Sequence, residues 1–374
     1  MKIAIIIPTY NEAENIGRLI EVLSEEFKKN LNNSYSVLVV EANSPDGTGE
    51  VVKEKALKFD FIHMVVEEKK RGLGAAYVFG FKHALANIKP DVLLEMDADF
   101  QHDPKDVIRL VREVENGNDY VIGSRFMRGG SIPKEWQFRR KLLSFGGNLF
   151  SKIVLGIFNV NDFTSGFKAS RVSGFVDKLD LENILSDGFA YKIDLLFKMH
   201  RLGAKIKEVP IKFGLRDRGD SKMEKNNFID SIRVVLTLRF NENKNLFKFL
   251  AVGLIGLAVD TGLFNLLRIA LVPSGLCALI SGALAMITTF MLNNHWSFKE
   301  RKLEGLKTKI VSLVVYVVSS SVPILVRSKL VDFATVSYGD TFLVSNIAFF
   351  IGITFGLVWN FTIYSKIIWR VKKS

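Results

Sequence analysis

The sequence predicts an α/β domain built on a largely parallel sheet, followed by a four-helix membrane domain. Three observations carry this. Ahead of Leu246, short apolar runs rich in β-branched residues alternate with stretches patterned as helices, as in a sheet covered on both faces. In the last third, four apolar stretches each approach the ~20 residues that cross a bilayer as a helix. Charge divides in the same way: of a formal net charge of +12 over 374 residues, the chain from Leu246 onward holds 13 Lys and Arg against 5 Asp and Glu, so the front part is nearly balanced. A basic excess that flanks apolar runs fits a membrane surface, whereas a nucleic-acid binder carries it on the domain that reads phosphates.

The elements follow in order. Ile3 to Ile7 is an unbroken apolar run, too short for a secretory signal, and reads as a buried first strand that keeps the front domain in the cytosol. Val37 to Val40, Ile62 to Val66, Val92 to Met96 and Tyr120 to Ile122 are the next strands, separated by helices over Glu12 to Lys28, Gly49 to Phe59, Gly74 to Ala86 and Pro104 to Glu115. Phe228, Ile229, Ile232, Val235, Leu236 and Phe240 recur at helical spacing among Asp230, Arg233 and Arg239. That pattern fits a helix lying on the membrane, and equally a half-buried helix of the domain. The boundaries are then a catalytic domain over 1–226, an interface helix and linker over 227–245, and a membrane domain over 246–374.

The membrane stretches run from Phe249 to Leu271, Gly275 to Leu292, Ile310 to Val326 and Phe342 to Tyr364. Lys299, Arg301, Lys302, Lys307 and Lys309 lie between the second and third, and Lys366, Arg370, Lys372 and Lys373 follow the fourth. The excess of positive charge on the cytosolic side places both termini and the middle loop there, in a multi-pass protein of the cell membrane. Asp260, Asn265 and Asn360 fall inside these stretches and Arg327 directly follows the third; all must face one another, the headgroups or a lipid-bound ligand.

Some chemistry is excluded at once. Cys277 is the only cysteine, so there are no intrachain disulfides or Cys-rich zinc sites, and the five histidines show no local metal-ligand spacing. The strand ending at Met96 runs into Asp97-Ala-Asp99-Phe-Gln101, whose alternate residues project to one side if the chain is extended. Two carboxylates and an amide oxygen suit Mg²⁺ or Mn²⁺ shared with a diphosphate, and ligands of such sheets collect at the carboxyl ends of strands; a loop carboxylate pair can also simply cap or face solvent. Arg71-Gly-Leu-Gly74 opens a helix, but Tyr77 stands where a dinucleotide fingerprint needs its last glycine, so a nicotinamide cofactor is rejected.

Read together, Pro8-Thr-Tyr-Asn-Glu12, Ser44-Pro-Asp46-Gly-Thr48, Gly72-Leu-Gly74, Asp97 to Pro104, Gly123-Ser-Arg125, Asp162 to Lys168, Val209-Pro-Ile211 and Arg216 to Lys222 resemble the polyprenyl-phosphate glycosyltransferases of glycosyltransferase family 2. Phe247 to Gly253 and Asn293 to Phe298 resemble the GtrA-type four-helix membrane domain. The resemblance implies a GT-A (Rossmann-like) glycosyltransferase domain followed by a four-helix transmembrane domain. It implies a nucleotide pocket at Pro8, Tyr10, Glu12, Glu41 and Asp46, with Asp97, Asp99 and Gln101 holding metal and donor diphosphate. Arg125 faces the acceptor phosphate, Arg140 and Ser144 clamp it with Arg139 as a competitor, and Arg216, Ser221 and Lys222 form a basic loop over the phosphates. Relatives usually carry Glu where this chain has Asp194, and Asp-Asp-Gly where it has Glu41-Ala42-Asn43, which bears on the donor nucleotide.

The implied reaction transfers mannose from GDP-mannose to dolichyl or another polyprenyl phosphate, with inversion, at the cytoplasmic membrane face. Asp99 and Arg125 are the residues expected to carry it, with Mg²⁺ or Mn²⁺ as cofactor. A lipid phosphate monoester is already an anion at cytosolic pH, so no general base is needed. Three rivals differ in donor or class: a UDP-glucose-dependent glucosyltransferase, a processive synthase whose Gln-x-x-Arg-Trp signature is missing, and a silent lipid-sugar translocator, against which the intact Asp97, Asp99 and Gln101 argue.

Overall fold

The computed structural model describes residues 1–216, 227–272, 274–339 and 341–370. The chain divides by its contacts into two units, one ending at Arg239 and one beginning at Phe240. The first unit is built on a seven-stranded sheet of β1 (Lys2–Thr9), β2 (Ser34–Glu41), β3 (Ile62–Val66), β4 (Val92–Glu95), β5 (Tyr120–Ser124), β6 (Lys168–Arg171) and β7 (Ile206–Pro210). Their spatial order is β3-β2-β1-β4-β6-β5-β7. All pairings are parallel except those of β6, which runs antiparallel to both neighbours.

Alternation along β1 divides the core. Ile3, Ile5 and Ile7 face one layer while Ala4 and Ile6 face the other, all fully buried, as a central strand covered on both sides requires. The first layer is closed by α1 (Ala13–Phe27), α2 (Thr48–Ala56) and α4 (Asp106–Glu115). The second is closed by α3 (Leu73–His83), α5 (Phe138–Leu155), α6 (Tyr191–Arg201) and α7 (Asn227–Glu242). In α4, buried Val107, Leu110, Val111 and Val114 recur at i+3 and i+4 while Arg112 and Glu113 point out, the stripe expected of a helix lying on a sheet.

The five strands read from the sequence are present; β6 and β7 are additions. The helix expected from Asn227 packs Val234, Val235 and Leu238 into the core beside α6, so residues up to Arg239 belong to the first unit, past the expected boundary at 226. Its opposite side leaves Ile229, Leu236 and Phe240 exposed.

The second unit contains α8 (Lys244–Ile269), α9 (Ser274–Leu292), α10 (Leu306–Tyr338) and α11 (Phe342–Ile363), so all four apolar stretches are helical. Among the described residues, Lys244–Ile269 and Leu306–Pro323 are long and apolar enough to cross a membrane. α9 and α11 each end in a π-wound turn, at Asn293–Ser297 and Tyr364–Ile368. These turns enclose an aromatic cluster of Phe249, Phe290, Phe298, Tyr316, Tyr364 and Trp369, in which Trp369 stacks on Phe298 at 4.9 Å and donates its indole N–H to Asn294. Asp260, inside α8, accepts a 2.6 Å hydrogen bond from Ser281 of α9, so a polar group of one apolar stretch is paired by another.

Candidate active site

A cavity of about 810 Å³ lies at the carboxyl edge of the first unit's sheet, lined by the segments that follow β1, β4 and β5, by α5 and by the start of α6. The loop over residues 186–188 crosses the start of α3. Gly72 is required there: it sits at φ +141°, and a Cβ would stand 2.3 Å from the Asp187 carbonyl oxygen.

At one end of the cavity stand the two carboxylates that follow β4. Asp97 Oδ1 accepts a 3.0 Å bond from the Tyr77 hydroxyl, and Asp99 Oδ1 accepts the Gln101 N–H at 3.1 Å. Phe100, directly after Asp99, holds φ +60°, an uncommon conformation for a bulky residue, in the tight loop that carries the carboxylates. Arg216 reaches across to Asp99 Oδ2 at 2.8 Å and to Glu12 Oε1 at 3.4 Å. Burial, then the charge of Asp97, push the Asp99 carboxyl up to about 6 against the pull of Arg216.

Those features fit a divalent cation. Two adjacent carboxylates, Asp99 buried and Asp97 half-buried, repel each other, and a cation on both would remove the repulsion. Gln101 donates its amide N–H₂ to the Gly214 carbonyl at 3.2 Å, which leaves its Oε1 as an acceptor. No group of three His, Cys, Asp or Glu side chains among the described residues could hold a metal, so water and a diphosphate would have to complete the coordination.

The other end is basic. Arg125 is buried and forked onto Asp162: the backbone N–H and Nε donate to Oδ2 at 2.9 and 2.8 Å, and Nη2 donates to Oδ1 at 2.7 Å. Burial opposes ionisation of Asp162, but the Arg125 guanidinium and its hydrogen bonds hold that carboxyl below the usual range. Arg140 stacks 3.8 Å over the Trp136 ring. Burial and then the charge of Arg125 hold its guanidinium below the ordinary arginine range, so an anion between the two arginines would be welcome to both. Arg139 and Ser144 line the same wall.

Sequence comparison adds to this geometry. The model of glycosyl transferase family 2 matches residues 4–175, and that of the GtrA/DPMS transmembrane domain matches residues 248–369. A dolichol-phosphate mannosyltransferase of Pyrococcus furiosus is 33% identical over 325 residues, 86% of this chain and 88% of that protein. The chain belongs to glycosyltransferase family 2. An undecaprenyl-phosphate mannosyltransferase of Micrococcus luteus is 40% identical over 227 residues, 60% of this chain and 88% of its own. A polyprenol monophosphomannose synthase of Mycolicibacterium smegmatis is 38% identical over 229 residues, covering 61% and 83%. The front unit of this glycosyltransferase is thus a GT-A-like mixed α/β domain, and its back unit is a GtrA/DPMS membrane domain.

The glycosyltransferase brings most of the residues expected from its sequence into one cavity: Pro8, Tyr10, Glu12, Asp97, Asp99, Gln101, Arg125, Arg139, Arg140, Ser144 and Arg216 all line it. Glu41 and Asp46 do not. Glu41 accepts the Ser44 N–H at 2.8 Å, and Asp46 accepts the Thr48 hydroxyl at 2.6 Å and the Ala13 N–H at 3.1 Å, so both carboxylates close turns behind the pocket instead of lining it. Asp194 is fully buried, where it accepts the Leu185 N–H and pairs with Lys198 at 3.0 Å; it anchors the loop over the cavity. Ser221 and Lys222 lie outside the described residues.

Sequence reasoning missed Asp162 as the partner of Arg125, Tyr77 as the partner of Asp97, and Lys192. Tyr77 did stand out, as the residue that breaks the glycine fingerprint; its hydroxyl is what the position supplies here.

Proposed function

We propose that this glycosyltransferase moves mannose from GDP-mannose to dolichyl or a related polyprenyl phosphate, with inversion at the anomeric carbon and with Mg²⁺ or Mn²⁺. The observation that carries the reading is one cavity with two unlike ends: Asp97, Asp99, Glu12 and Arg216 at one, where a divalent cation would turn the carboxylates toward a diphosphate, and the basic Arg125, Arg139 and Arg140 with Ser144 at the other. The names of the three relatives support a polyprenyl phosphate acceptor and a mannosyl donor.

Asp97, Asp99 and Gln101 would hold the metal, which would neutralise charge on the diphosphate. Arg216 would then exchange its carboxylate contacts for donor phosphate oxygens. Arg125, fixed by Asp162, and Arg140, fixed on Trp136, would orient the acceptor phosphate for in-line attack. The attacking oxygen is ionised before it arrives, so the site has no need of a base. His102 agrees with this: burial drives it down to about 4, and it is packed at 4.9 Å against Phe167, a neutral spacer and no proton carrier.

The acceptor side also has a membrane seat. Phe138, Leu142, Phe145, Leu149 and Ile153 of α5 follow one another at three or four residues and are all exposed, on the helix that carries Arg139, Arg140 and Ser144. We read the chain as a multi-pass protein of four spans, with the catalytic unit and both termini cytoplasmic and the bilayer presenting the acceptor. Purified protein offered GDP-mannose and UDP-glucose in parallel, with dolichyl or undecaprenyl phosphate and with Mn²⁺ or chelator, tests the reading. Metal-independent transfer, or transfer from UDP-glucose alone, would overturn it.

A further inference from the structure

Lys192 is 1% exposed yet lines the cavity from the first turn of α6, near its base. Its Nζ lies 4.1 Å over the Phe189 ring, and no carboxylate of the described residues comes within 4.0 Å to form an ion pair with it. The position of its head is set by Gly166: a Cβ there would stand 2.4 Å from Lys192 Nζ and 3.2 Å from Asp97 Oδ2, so ammonium and carboxylate flank one point in the cavity wall.

A buried ammonium normally has a counterion. Here the obvious candidate is otherwise engaged. Glu95, fully buried behind the site, takes the Tyr191 hydroxyl at 2.5 Å, and its strongest charged neighbour is Lys168, whose Nζ donates to the Lys192 carbonyl at 3.0 Å. Gly166, beside which the Lys192 head lies, is two residues from Thr164, whose hydroxyl accepts Arg125 Nη2 at 2.7 Å. Lys192 therefore stands between Asp97 and the segment that touches the acceptor arginine, where the two ends of the cavity meet.

We propose that Lys192 is a substrate-contacting cation of the transfer reaction, its ammonium binding phosphate oxygen at the junction of the donor and acceptor sites and screening the incoming lipid phosphate from the departing diphosphate. The inference rests on the two-anion reading above. Its consequence is a coupling: each anion can bind alone on its own end, but the two together need a charge between them.

The test is calorimetry on the full chain in detergent, with GDP plus Mn²⁺ as the donor-side probe and a short-chain polyprenyl phosphate as the acceptor probe, each alone and then the second on protein saturated with the first. In Lys192→Gln, single-probe affinities should stay within about three-fold, and the second probe should bind the loaded protein at least ten-fold more weakly than in the wild type, the loss of one charge-assisted contact. At saturating donor the acceptor KM should rise by about the same factor, and kcat should fall as well. Lys192→Met repeats the measurement with an apolar chain of similar length, and circular dichroism establishes that each variant is folded. Unchanged coupling in either folded variant overturns the proposal, as does a defect confined to single-probe GDP binding. If both variants unfold, Lys192 is a structural residue and the proposal fails. A wild type that binds neither probe refutes the two-anion reading itself, a different outcome from wild-type binding with unchanged coupling in the variants.

Discussion

Asp162→Asn should unsettle both the fold and the acceptor site, and the two effects can be read separately. The side chains of the pair are 7% and 0% exposed, and the carboxylate receives three hydrogen bonds from Arg125 and one from the Thr164 N–H at 3.2 Å. An asparagine keeps the shape but turns an N–H₂ toward the guanidinium, leaving a buried charge without its partner, which costs about 3–5 kcal/mol. For a unit of this size that corresponds to a melting temperature lower by roughly 6–20 °C. The pH dependence has a defined sign. The folded-state pKa of Asp162 lies below its unfolded value, so its contribution is present above about pH 4 and lost as pH falls through the folded value. Thermal unfolding of wild type and variant in detergent should therefore differ by a constant amount between pH 6 and 8 and converge in acid. Because Asp162 also aims the guanidinium, the variant's KM for polyprenyl phosphate should rise about ten-fold or more while GDP binding stays near normal. A melting temperature within about 2 °C of wild type, or a defect in GDP binding with normal acceptor KM, would refute the assignment of this pair.

Four further outcomes are expected. Asp99→Ala should abolish transfer while the protein keeps its circular dichroism, since it removes a metal-holding carboxylate without opening a core cavity; near-normal turnover with Mn²⁺ would reject that role. Arg140→Ala should raise the acceptor requirement about ten-fold and leave calorimetry with GDP unchanged, and the reverse pattern would reassign the residue to the donor. Gly166→Ala should lower stability by about 1–3 kcal/mol in thermal unfolding and slow transfer, because its Cβ falls on Lys192 Nζ and beside Asp97; a neutral substitution would mean that the two side chains are free to move apart. A chain ending at Asn245 should still bind GDP with Mn²⁺ and lose transfer at low acceptor concentration, with partial recovery in excess short-chain acceptor; a folded truncation that binds no GDP would place part of the donor site in the second unit.

What could be read in the sequence follows from where each signal is stored. The parallel strands were legible because strands covered on both faces are continuous apolar runs, as in Ile3 to Ile7. β6 was not, because Lys168-Ala-Ser-Arg171 holds a lysine that is fully buried, opposite Glu95 in the register of β4. Only the pairing makes that lysine tolerable inside, and pairing between residues so far apart leaves no periodic trace. The same holds within the site. Asp97, Asp99 and Gln101 are alternate residues of one motif, whereas Asp162 reaches Arg125, and Lys192 comes to lie near Asp97, only through the antiparallel insertion of β6 and the placement of α6. Glu41 and Asp46 differ: they stand in a recognisable motif, and in the fold their carboxylates accept hydrogen bonds within the turn that contains them.

On the proposed function, the charge arrangement would let one cavity serve two anions that repel each other. Each end pairs opposite charges at close range, Arg216 with Asp99 and Glu12, and Arg125 with Asp162, so neither end presents a bare charge to a low-dielectric wall. The two pairs differ in permanence. Arg125 is 8% exposed and held by three bonds on a carboxylate that does not line the cavity, so it stays oriented whether or not an acceptor is present. Arg216 is more exposed, sits just before the segment that carries Lys222, and is paired with carboxylates that line the cavity itself. A cation bound at Asp97 and Asp99 would compete with Arg216 for Asp99 and free the guanidinium for phosphate. Metal binding and donor binding are then one linked event at that end, while the acceptor end is ready beforehand, so GDP affinity should depend steeply on Mn²⁺ and the affinity for lipid phosphate alone should not.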